Sequence, residues 1–532
     1  MALQTINIGS AANDRSGTSL RAAFDICNDN FAELYDEGNA LPYQIEGTNF
    51  TGSLIIGHTT TGTISSAHYN TGIGIAALDA LTTGDQNVAV GYNVLTATNT
   101  GYGNTAIGSY AGDALTSGYR NVAVGNLALS AEDTHGFNVA IGYAALFSQN
   151  AGADAYNVAV GSSAGTSITT GVGNTLIGGL AGDALTTGSS NVAIGTSALG
   201  SEDAHGRNVA IGYHALMDQD AGDEAYNVAV GYNAGENVTT GKNNTLIGGS
   251  AGDALTIGGS NVAIGKSALS LEDTGSKAVA VGFGTLANQN YNGDSYNVAM
   301  GYQAGNDITT SIQNVLIGAL AGDAITTGGG NVAIGYQALS SEDENGTTVA
   351  IGLNSLSQQN TGANSYNVAV GYLSGAAVTT GTQNTILGGQ AGDALTSGSY
   401  SVAIGKDALG TETTNSHNVA IGHSSMSSSE LSAKNVAIGS NTLQNVTNSS
   451  STDTYNIAVG YSAGMNVTTG TENTLIGGLA GDALTTGVRN TVVGYAALSQ
   501  EDAHGTNVAI GYAALSVQNA GADAFNTAVG YS

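Results

Sequence analysis

The sequence predicts an all-β chain: a long parallel β-solenoid preceded by a short strand and helix. Three observations predict it. A pentapeptide Asn-Val-Ala-Ile-Gly, or a close variant, recurs 28 times between Ser53–Gly57 and Asn526–Gly530. The step is 17 residues in most cases, 19 in five and 21 in one. The aliphatic residues hold a fixed phase within every step. A period this short means coils that each stack on the last. It overrides chain length, which for 532 residues would otherwise suggest about three or four globular domains.

Taken in order, residues 1–36 read as an anchor. Thr5-Ile6-Asn7-Ile8-Gly9 alternates as a strand does. Ser16 or Thr18 can cap a helix whose Leu20, Ala23, Phe24, Cys27, Phe31, Leu34 and Tyr35 form a narrow, seam-like apolar stripe. Ile6, Ile8, Leu20, Phe24, Phe31 and Leu34 are the expected anchoring residues. Residues 37–52 read as a linker, rich in Gly and Asn and holding the sole proline, Pro42. Residues 53–532 form the solenoid shaft. Four coil types alternate there over 17+17+17+19, or 70, residues, and one extra coil near 418–455 interrupts that order. Modular duplication accounts for such a pattern.

Composition narrows the function. Glycine is abundant (80) without a Gly-X-Y period and with a single proline, which excludes collagen. Apolar residues at 41% in fixed phase argue against disorder. Acids outnumber bases 40 to 10, and the formal charge of −30 disfavours nucleic acid and anionic membranes as partners. The single cysteine, Cys27, excludes an intrachain disulfide. Met1–Ser10 is not a secretory signal and no run of 18 apolar residues occurs, so the sequence predicts neither export by a leader nor a membrane span.

Each position of the coil has an expected task. Position five is Gly in all 28 copies, Gly91, Gly108, Gly125, Gly142 and Gly161 among them, and predicts a sharp turn with positive φ or close backbone approach. Position one is Asn in 24 of 28. Stacked in register, Asn87, Asn104, Asn121, Asn138 and Asn157 would form an amide ladder; the alternative is an Asn that merely suits the turn. Positions two and four, mostly Val, Ile or Thr, share one side of the strand and are expected to line the coil interior. Position three then faces outward. Since it is never polar, it is expected to meet a neighbouring chain. The expected interface residues are Ala89, Ala123, Ala140, Ala159, Leu176, Ala193, Ala210, Ala229, Leu246 and Ala263. Ordering a coil of 17 residues costs roughly 17–34 kcal/mol of backbone entropy. Two or three aliphatics return only about 5–9 kcal/mol, which also favours a second core between chains.

These residues resemble a known family. The Asn-Val-Ala-Ile-Gly repeats, followed by Tyr213-His-Ala-Leu216 or Tyr336-Gln-Ala-Leu339, resemble the head domains of trimeric autotransporter adhesins of the Yersinia adhesin (YadA) type. The resemblance covers 53–532. It implies a left-handed parallel β-roll and a homotrimer with the Val-Ala-Ile strand near the threefold axis. The coils here are longer, and the secretion signal and membrane β-barrel of that family are missing from the sequence. The N-terminus, with Thr5-Ile-Asn-Ile-Gly9, Ala12-Asn-Asp14, Gly17, Leu20-Arg21, Ala23-Phe24 and Asn28–Tyr35, is similar to the start of virion structural proteins of tailed bacteriophages. That likeness implies a fibre docked on the particle at its N-terminus and released from the host by lysis.

The residue types that could carry chemistry here also have plainer structural readings. Glu132-Asp133-Thr-His135, Glu202-Asp203-Ala-His205 and Glu501-Asp502-Ala-His504 carry metal-ligand types, but Glu272-Asp273 and Glu342-Asp343 lack the His; a polar outer loop is the expectation. Gly178–Leu185 matches a calcium-binding nonapeptide only in part. Thr-Thr pairs at 186–187, 239–240 and 309–310 occur on two of four coil types and give no continuous ice-binding array. Tyr156, Tyr226, Tyr296 and Tyr366 are expected to cover a loop edge rather than to stack on glycan. No nucleophile–base constellation, P-loop or zinc spacing is present. The expectation is therefore a non-enzymatic trimeric fibre shaft on a phage surface, with no metal or cofactor, a virion protein at its N-terminus, and no membrane insertion. The alternatives are a bacterial surface adhesin passenger and, more weakly, a glycan depolymerase tailspike. A straight rod of roughly 130 Å is expected from a coil spacing of about 4.8 Å. Because Asn526–Ser532 reads as a fresh strand without a cap, host specificity is expected to reside in a tip segment or tip protein beyond it.

Overall fold

The structure, a computed structural model, describes residues 43–47, 49–57 and 64–532. The anchoring residues Ile6, Ile8, Leu20, Phe24, Phe31 and Leu34, and the strand and helix expected for 1–36, lie outside the described residues. Among the described residues every element is a β-strand, and the chain forms a parallel β-solenoid of about 28 turns. It divides into two compact units, one ending at Arg207 and the other beginning at Asn208.

In the first unit, strand β1 (Tyr43–Gly47) falls within the segment read as a linker and pairs antiparallel with β2 (Phe50–Ile56). From β2 onward all pairing is parallel. Leu54, Ile55 and Ile56 face Thr71, Gly72 and Ile73, and each later motif faces the next in the same register up to Val192–Ile194. The second unit repeats this from Val209–Ile211 to Thr527–Val529. It also holds a small second sheet in which Glu430–Ala433 runs parallel to Thr447–Asp453. That sheet lies in the region where the sequence breaks its 70-residue order.

From Thr71–Ile73 onward each strand of the main ladder is only three residues long, so something besides the ladder must hold the register. The position-one asparagines do this. The side-chain carbonyl of Asn70 accepts the backbone N–H of Asn87 at 2.9 Å, Asn87 serves Asn104 at 3.0 Å, and Asn104 serves Asn121 at 3.0 Å. Asn121 and Asn138 do the same for Asn138 and Asn157, at 3.0 and 3.3 Å. The amide nitrogens of Asn87 and Asn104 donate to the carbonyls of Gly101 and Gly118, both at 2.8 Å. The bond that recurs is thus side chain to backbone, with amide-to-amide contacts such as Asn87 to Asn70 at 3.1 Å added at some steps. These side chains are buried, so each bond also satisfies a backbone group that water cannot reach.

The strand ends at the position-five glycine. Gly91, Gly108, Gly125, Gly142 and Gly161 have φ between +129° and +146°. A Cβ at Gly125 would lie 2.3 Å from the carbonyl oxygen of Gly142 in the next coil. Conformation and clearance both demand glycine here.

Candidate interface: the outer face of the sheet

The strand faces are the reverse of the expectation. Ala89, Ala123, Ala140, Ala159, Leu176, Ala193, Ala210, Ala229, Leu246 and Ala263 are all at most 1% exposed within the single chain. They line the coil interior, so they are not interface residues. Positions two and four point outward and stay partly exposed, as in Val158 and Val160, or Val262 and Ile264.

Volume explains the reversal. The coil is thin, and its interior must also hold the side chain at position nine. Where position three is Leu, position nine is Gly: a Cβ on Gly182 would come within 2.9 Å of Leu176 and 2.8 Å of Leu185. Where position three is Ala, as at Ala193, position nine can be Leu, as at Leu199, and both are fully buried. Large and small residues alternate to fill the same space. Val or Ile at position three in every coil would overfill it.

Position twelve also points inward, contrary to the outer-loop expectation. In the 70-residue order it reads Leu185, Glu202, Gln219, Val238, and all four are buried. The Glu-Asp pairs are therefore not simply an outer loop. The glutamates Glu132, Glu202, Glu272, Glu342, Glu412 and Glu501 are fully buried, while the aspartates Asp133, Asp203, Asp273, Asp343 and Asp502 that follow five of them are not. Gln289 Nε2 donates to Glu272 Oε2 at 2.9 Å, and Gln359 Nε2 donates to Glu342 Oε2 at the same distance. The backbone N–H of Gly275 reaches Glu272 Oε1 at 2.7 Å. Burial pushes the carboxyls of Glu272, Glu342 and Glu412 above the usual carboxylate range, against these hydrogen bonds, which lower them.

The outer face is where apolar surface remains. Ile107, Ile141, Ile177 and Met300 are 42%, 37%, 39% and 48% exposed. Tyrosines at position six extend the stripe. In the second unit Tyr213 stacks on Tyr232 with ring centroids 5.3 Å apart, Phe283 on Tyr302 at 5.5 Å and Tyr495 on Tyr512 at 5.5 Å. A second aromatic row precedes position one. In it Tyr102 stacks on Tyr119 at 5.2 Å, and Phe137 on Tyr156 at 4.9 Å. Tyr156, Tyr226, Tyr296 and Tyr366 are about half exposed. Sequence reasoning missed the outer stripe because alternation alone does not say which face is inside. The Leu/Gly exchange between positions three and nine was the available signal.

No helix among the described residues is long and apolar enough to cross a membrane. No family model, curated protein or solved structure matches the chain.

Proposed function

We propose that the chain is the shaft of a homotrimeric fibre on a phage particle, structural rather than enzymatic. The observation that carries the reading is the outer sheet face, where a partly exposed aliphatic side chain recurs at position four of every described coil, with Tyr at position six of some. A partner that covers such a face must repeat with the same spacing. Further copies of the same chain, stacked in step, meet that requirement. The trimer and its left-handed winding follow from the likeness of the Asn-Val-Ala-Ile-Gly repeats to adhesin heads. Attachment through residues 1–36, and a place on the virion surface, follow from the likeness of that segment to phage structural proteins.

In this reading the interface consists of positions two and four, with position-six tyrosines at its rim. The position-three alanines make each chain's own core. Buried Asn bonds and tight glycine turns make each coil stiff, which suits a shaft that bears load.

Immunogold labelling with antibodies against the solenoid tests the placement. Gold on the appendages of particles from a lysate is the expected result. Gold on the envelope of uninfected cells would replace this reading with the surface-adhesin one.

A further inference from the structure

We propose that the Glu-Asp-x-His corner at 132–135 is a zinc site that takes one ion. The inference is independent of the fibre reading.

Glu132 is fully buried. Its Oε1 accepts the backbone N–H groups of Thr134 at 3.3 Å and His135 at 3.1 Å, which turns the chain back over the carboxylate. His135 Nδ1 stands 3.6 Å from that oxygen, on a side chain about one quarter exposed (27%). Glu132 Oε2 is buried and has no hydrogen-bond partner. One donor atom each from Glu132, Asp133 and His135 lies within 4.8 Å of the other two. The same residue types come together at 202–205 and 501–504, but Glu501 Oε2 already accepts from Gln518 Nε2 at 3.3 Å and from the backbone N–H of Ala520 at 3.2 Å.

Two carboxylates and an imidazole on one face suit a first-row divalent ion, and zinc accepts this donor set at about 2.0–2.2 Å. Around a tetrahedral ion such donors sit about 3.3 Å apart. Asp133 and His135, both partly exposed, can close that gap by rotating. His135 would then exchange its 2.9 Å contact with Thr134 Oγ1 for the metal. The fourth position would face solvent.

The molecule contains its own controls. Equivalent corners at Glu272, Glu342 and Glu412 have Gly275, Asn345 and Asn415 in place of His. At Glu272 the second oxygen is occupied by Gln289. At the His-bearing Glu132 corner, Gln149 instead donates to the carbonyl of Thr169 at 3.3 Å, which leaves Glu132 Oε2 to another partner.

The test is equilibrium dialysis of the chelator-treated full chain against zinc, with bound metal counted by mass spectrometry. His135→Gln should lower the count by one ion per chain, whereas His504→Gln should leave it unchanged, because Glu501 Oε2 is already occupied. Asn345→His should raise the count by one, because Glu342 Oε1 is also buried without a partner; this variant keeps the test open if the His135 one fails to fold. Zinc should raise the melting temperature of the wild type more than that of a folded His135→Gln variant. The proposal is overturned if uptake is unaffected by His135→Gln, if Asn345→His adds no ion, or if calcium displaces zinc at equal concentration.

Discussion

The two faces of one short strand differ more than two distant parts of the molecule do. On the inner face sit Ala210, Ala229, Ala263 and their counterparts, with no exposure. On the outer face sit larger residues, Ile177, Ile247 and Ile438, each more than a third exposed. A globular protein usually does the opposite, placing its bulky aliphatics inside. The difference teaches that interior volume, not hydrophobicity, decides the orientation of a strand in a thin coil. It also leaves the larger apolar side chains at the surface, which is the face the proposed trimer would cover.

Breaking the inner face should have the largest effect. Ala229→Glu places a charge without a partner in a space that holds only a methyl group. We expect a loss of about 4 kcal/mol or more, read as a lowered midpoint in denaturant unfolding. If stability is unchanged, the faces have been assigned the wrong way round. The turn that separates strand from corner comes next. Gly125→Ala meets both the clash with Gly142 and a φ of +138°, and should cost about 3 kcal/mol. The same substitution at Gly152, where a Cβ would meet nothing within 4 Å, is the control for clearance.

The ladder should matter less. Asn104→Ala leaves the buried N–H of Asn121 without its acceptor and should cost about 2 kcal/mol. Asn104→Asp restores an acceptor but not the donor to Gly118, so it should recover only part of that loss.

The smallest and most graded effect is that of pH. Glu272, Glu342 and Glu412 have folded-state pKa values raised by burial. A raised carboxyl pKa favours the folded state while the group is protonated. That contribution is complete below the unfolded value of about 4.3 and is lost as pH rises through the folded-state values. Melting temperature should therefore increase as pH is lowered from neutral towards that value. A melting temperature that falls steadily over this range would show that other carboxylates dominate.

Much of this fold was legible. The spacing of Asn and Gly specified a stacked coil, its period and its register, because both residues act through the backbone of the next coil. The face assignment was not, because Val-Ala-Ile alternates equally well in either orientation. Only the exchange of Leu176 with Gly182 against Ala193 with Leu199 distinguishes the two, and it becomes visible once positions three and nine are compared across coils. The buried glutamates were hidden for a similar reason. Glu-Asp looks like a solvated pair, and only the shared position twelve of Leu185, Glu202, Gln219 and Val238 marks the first residue as internal.

The most direct test of the central claim is the mass of the purified chain in solution, measured by sedimentation for the wild type and for a variant carrying Ile141→Glu, Ile177→Glu, Ile247→Glu and Ile476→Glu. The account predicts three chain masses for the wild type. For the variant it predicts a folded single chain, since these side chains already lie at the surface. A wild-type chain that sediments alone, or a variant that still assembles, would contradict it.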